Sequence, residues 1–120
     1  KIFHIVNDED TAFHAGKVRK PNFFSNAATV GIEQEHFDPF PPTKPHNEDW
    51  PDAQINAVAR LTAFLCQKHN LNIPDDVKTH AEVASPPGRK VDPTGYPFEK
   101  YFALVNENLG FQMQAEEIPG

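Results

Sequence analysis

Proline constrains this chain more than any other residue. Twelve of its 120 positions are proline, and each removes a backbone donor and holds φ at about −65°. Regular elements must therefore be few, and long irregular connections must join them. The densest stretch, residues 36 to 51, reads as an extended surface loop, and a loop of that length is commonly functional.

The next segment reads as a helix from residue 51 to about residue 70. Pro51 suits a first turn, Asp49 or Asp52 complements the dipole there, and Lys68 and His69 stand at the other end. Ile55, Val58, Ala59, Thr62, Leu65 and Cys66 make one apolar stripe, which Leu61 and Phe64 widen. The ordinary reading of Cys66 is a small buried apolar residue. Phe98, Tyr101, Phe102, Val105 and Leu109 recur at helical spacing, with Gly110 as the expected stop. Three β-branched runs read as strands: residues 1–7, residues 27–34 and a short one at 77–80 that delivers His80 at its end. Residues 8–16, 17–26 and 86–95 read as loops. The expected fold is α/β (α+β), a small mixed sheet flanked by two or more amphipathic helices, in one domain over residues 1–120.

Charge narrows the partners. A net charge of −6 and a pI near 5.4 argue against a nucleic acid or an anionic membrane held by bulk electrostatics. No apolar run approaches the roughly 18 residues that would span a bilayer, so membrane insertion is not expected. A single cysteine excludes an internal disulfide.

The chemistry concentrates late in the chain. His80 is followed eight residues later by Gly88-Arg89-Lys90-Val91-Asp92-Pro93. An imidazole and a carboxylate are metal ligands of the kind that bind zinc. Pro93 disfavours helical geometry at Asp92, and in an extended segment Lys90 and Asp92 project to the same side. A metal-binding carboxylate beside a lysine that neutralises developing negative charge is a hydrolytic arrangement. The alternative is a loop histidine and a turn aspartate. Glu33 shares a strand face with Gly31, where a ligand has room to approach the backbone. Its carboxylate suits a general base towards water, and its alternative is an exposed strand-end residue.

Five short segments carry a family resemblance. Asp10-Thr11-Ala12-Phe13-His14-Ala15-Gly16 resembles the A-W-H-A-G loop of the type-2 N-acetylmuramoyl-L-alanine amidases. Asn26 with Thr29-Val30-Gly31-Ile32-Glu33 resembles their N-x-x-S-I-G-I-E strand, and Asp52-Ala53-Gln54 their D-A-Q helix start. Thr79-His80 and Arg89-Lys90-Val91-Asp92-Pro93 resemble the G-H and R-K-x-D-P segments. The likeness runs in order from about Lys1 to Leu109.

The resemblance implies a zinc hydrolase that cleaves the amide between N-acetylmuramic acid and L-alanine in peptidoglycan or muropeptides. It implies His80 and Asp92 as zinc ligands, Glu33 as general base, Lys90 as the group that stabilises the oxyanion, and His14 in the substrate cleft. A loop histidine without a role is the alternative for His14. Aspartate where many phage and animal members have cysteine places the chain nearer the bacterial muropeptide amidases. The family's first zinc histidine comes from a strand upstream of the H-A-G loop, before this sequence begins. The expectation is a C-terminal portion of one amidase domain, with the missing N-terminal segment as partner and source of the third ligand, or a chain that binds metal poorly. A non-catalytic peptidoglycan- or muropeptide-binding module is the competing function. A purely structural role beside a partner chain is the third.

Overall fold

The structure is a computed structural model and describes residues 1–36 and 50–117. Four helices are present: α1 (Pro21–Phe24), α2 (Asp52–His69), α3 (His80–Val83) and α4 (Phe98–Glu117). Contacts divide the chain into two compact units, Lys1–Glu48 with Lys78–Gly95 and Asp49–Val77 with Tyr96–Gly120. Most of the proline-rich 36–51 loop lies outside the described residues.

In the second unit, α2 packs against α4. Pro51 stands at the N-cap of α2 and Asp52 in its first turn, with Lys68 and His69 in the last, as the dipole favours. Asn70 closes the helix in the left-handed conformation, φ 55°, and its N–H donates to the Cys66 carbonyl. Ile55, Val58, Ala59 and Ala63 from α2 meet Tyr101 and Val105 from α4 and the preceding Tyr96. Ile55 and Val105 are fully buried, each stabilising the unit by about 1.5–3 kcal/mol. Inside this core the hydroxyls of Thr62 and Tyr101 bond to one another. Burial, with the nearby charge of Asp76, pushes the Cys66 thiol up. Of the expected stripe, Leu65 is half-buried and Phe64 faces solvent.

Gly110 does not stop α4, which runs on to Glu117. One glycine inside a helix costs about 1 kcal/mol relative to alanine, too little to end a helix whose following residues are good helix formers.

The expected mixed sheet is absent. Among the described residues, β pairing is confined to one isolated antiparallel bridge between Val18 and Ala84. Residues 1–7 form no strand, and Phe3 and Ile5 stay 75% and 88% exposed. Residues 27–34 form none either. The 77–80 run is no strand: Thr79 is instead the N-cap of α3. β-branched composition reports only how well a residue fits a pleated, half-buried surface. Without a neighbour to receive its backbone groups, such a run stays irregular. Residues 17–26 hold the single turn α1 within the expected loop.

The first unit has a thin apolar core of Ala15, Val18 and Val83, with Phe24 packed against it. Hydrogen bonds hold much of the rest. The bridge is flanked by Arg19 N–H to the Val83 carbonyl at 2.8 Å and Ser85 N–H to the Lys17 carbonyl at 2.9 Å. These tie the 15–19 segment to the end of α3.

Candidate active site

The site is built on α3 and the loop that follows it. Thr79 and Glu82 form a reciprocal cap: the Thr79 hydroxyl accepts from Glu82 N–H and the Glu82 carboxylate from Thr79 N–H, each at 3.0 Å. This fixes the start of the helix and makes His80 its first residue. Ala81 N–H, left without a partner inside so short a helix, donates to the Asp92 carbonyl at 3.0 Å. Residues twelve apart in sequence are thereby brought side by side.

Their side chains meet as well. His80 Nδ1 lies 3.1 Å from Asp92 Oδ2, and His80 Nε2 lies 2.9 Å from the Ala15 carbonyl oxygen. The same carbonyl accepts from Arg89 Nη2 at 2.9 Å, and Arg89 Nη2 also donates to the Lys17 carbonyl at 2.7 Å. The guanidinium covers Gly16, whose φ is +66°. A Cβ there would be strained by the backbone and would stand 3.2 Å from Nη2.

A second network holds the 12–16 loop. Asn26 Oδ1 accepts from His14 N–H at 3.1 Å and from Ala15 N–H at 2.8 Å. The His14 ring has Nδ1 2.8 Å from the Ala12 carbonyl and Nε2 2.7 Å from the Thr29 hydroxyl, which donates to the Ser25 carbonyl. Both ring nitrogens are engaged by the protein, so His14 offers a cleft its ring carbons. Gly31 does permit a close approach, and what approaches is the His14 ring.

Phe13, His14, Ala15, Gly16, Asn26, Glu33, His80, Arg89 and Lys90 line one open cleft of about 390 Å³. It therefore collects His14, Glu33, His80 and Lys90, while Asp92 reaches it through His80. Glu33 and Lys90 are exposed. Sequence reasoning did not assign roles to Arg89, Thr29 or the Ala15 carbonyl. The first two stood inside quoted motifs, but a backbone carbonyl has no signature in sequence.

The residues present fit part of a zinc site. An imidazole nitrogen and a carboxylate oxygen are a suitable donor pair. Their 3.1 Å separation is near the spacing of about 3.3 Å expected between two ligands of a tetrahedral zinc with bonds of about 2.0–2.1 Å. The inward Nε2 bond is the support that ligating histidines usually have. Among the described residues, no group of three His, Cys, Asp or Glu side chains comes together to hold a metal.

The family profile of N-acetylmuramoyl-L-alanine amidase matches residues 1–95. The chain belongs to that family. Neither the curated proteins nor the solved structures compared with it give a match. For an amidase-family chain the implied substrate is of the peptidoglycan type, and the matched residues contain the whole cleft. Among the described residues, no helix is long and apolar enough to cross a membrane.

Proposed function

We propose that this chain contributes to zinc-dependent hydrolysis of the amide that joins the lactyl group of N-acetylmuramic acid to L-alanine. The observation that carries the reading is the pairing of His80 Nδ1 with Asp92 Oδ2 at 3.1 Å, beside a cleft that Glu33 and Lys90 also line. A bound zinc ion would supply Lewis acidity and make water nucleophilic near neutral pH.

The protein's own groups do the rest. Glu33 takes a proton from the attacking water as its oxygen bonds to the carbonyl carbon. Lys90 offers its ammonium to the carbonyl oxygen as negative charge develops there. The C–N bond then breaks, and the proton held by Glu33 passes to the alanine nitrogen. The products are a free lactyl carboxyl and a peptide with a new amino terminus. His14, braced by Ala12 and Thr29, walls the cleft.

Incubating the protein with zinc and muropeptides should release L-alanine amino termini. No release would sink the reading.

A second reading is favoured by the donor count: two ligands are fewer than the three that catalytic zinc sites normally use. In it, the cleft binds peptidoglycan stems without cleaving them. Metal analysis separates the two, with about one zinc per chain expected for hydrolysis and none for binding alone.

A further inference from the structure

We infer that Arg89 is a positioning residue that fixes where Lys90 stands in the cleft, an inference that rests on the proposed role of Lys90. Lys90 is exposed, and no hydrogen bond or ion pair to another described residue holds its ammonium. Its reach is therefore set by the main chain that carries it. Displacing a reacting group by about 1 Å can cost about 10²-fold in rate, so that main chain has to be held.

Two anchors hold it. After Lys90, the Asp92 carbonyl accepts from Ala81 N–H at 3.0 Å. Before Lys90, the chain from Ser85 to Arg89 is closed on one atom. The Lys17 carbonyl accepts from Ser85 N–H at 2.9 Å and from Arg89 Nη2 at 2.7 Å. Arg89 N–H donates back to the Pro86 carbonyl at 3.0 Å, which makes the segment a turn. Nη2 reaches the Ala15 carbonyl at 2.9 Å as well, so one nitrogen ties this turn to both ends of residues 15–17. The buried Nε meets no acceptor among the described residues, so it adds nothing to the clasp. Without the Arg89 side chain, hydrogen bonds among the described residues would join the turn to residues 15–17 at Ser85 alone. Arg89 need not touch substrate, because its effect travels through the main chain into the next residue.

The test is a double-mutant cycle on the full chain, supplied with zinc and muropeptides. Arg89→Ala should lower kcat by about 10²-fold with KM little changed. In a Lys90→Ala background the same substitution should lower kcat no further. A loss repeated in full in that background overturns the inference, and so does a wild-type kcat in a folded Arg89→Ala chain. Arg89→Lys keeps donors on a shorter stem. It should lower kcat less than alanine does, and it runs the same cycle if the alanine variant does not fold. Amide hydrogen exchange, with no zinc or substrate present, reads the clasp without activity. Arg89→Ala should speed exchange at Ser85 and at the residue-89 amide and leave α2 and α4 as in wild type. Unchanged exchange at both amides overturns the inference. Faster exchange there, in a protein whose wild type hydrolyses nothing, supports Arg89 as the anchor and overturns the hydrolytic reading instead.

Discussion

The His14 ring rests directly on Gly31: a Cβ at position 31 would lie 2.5 Å from His14 Cγ and 2.7 Å from Cδ2. Nothing larger than hydrogen fits there unless the ring moves. Asn26 and Thr29 bond to His14 from the same short segment, so one stretch of chain supplies both its anchors and its seat.

Gly31→Ala should therefore displace His14 and break its bond to Thr29. A destabilisation of about 1–3 kcal/mol is expected, as for an overpacked site. Denaturant unfolding gives the energy, and the His14 ring resonances report the displacement. Wild-type stability with an unmoved ring would contradict the contact.

Lys90→Ala should lower amide hydrolysis by about 10²–10³-fold, the usual effect of removing one oxyanion donor. Zinc content should not change, because Lys90 lines the cleft without being a ligand in the proposed site. Turnover and metal analysis on the same sample check both halves, and loss of metal would assign Lys90 a different role.

Asp92→Ala should act in the opposite way. It removes the carboxylate paired with His80, so zinc retention on dialysis should fall together with activity. Full retention would place the metal elsewhere.

Gly110→Ala should stabilise the protein by about 0.5–1 kcal/mol. Position 110 is exposed inside α4, and among the described residues an added Cβ would meet no atom within 4 Å apart from its chain neighbours and its own helix backbone. A higher denaturant midpoint is the expected result, and a lower one would mean that α4 does not continue past this point.

Alkaline stability should depend on Tyr101. Burial pushes its phenol up from 10.0 to about 12, against a lowering by the Thr62 bond. The folded state thus keeps this proton to higher pH than the unfolded chain. Its contribution is complete below pH 10 and is lost as pH rises through about 12, on the order of 2–3 kcal/mol in all. Tyr101→Phe should flatten stability across that window. Parallel curves for the two proteins would refute the assignment.

Helix α2 was legible to within a residue at each end, because Pro51, Asp52, the apolar stripe and the basic last turn all act within the helix itself. Residues 1–7 and 27–34 were misread as strands because a strand is completed by a neighbour. Their apolar side chains were visible, and the missing partner was not. Gly110 misled for a related reason: a glycine ends a helix only where the backbone turns left-handed, and here it does not.

The amino-acid sequence by itself determined that few regular elements would form and that α2 would be one, and it supplied the imidazole, carboxylate and ammonium groups of His14, Glu33, His80, Lys90 and Asp92. Side-chain type and short-range spacing carry that information. Tertiary structure alone decided that His80 meets Asp92, that His14 lies on Gly31, and that Arg89 and Asn26 converge on Ala15. Those relationships run largely through backbone N–H and C=O groups, which every residue shares and no sequence pattern distinguishes.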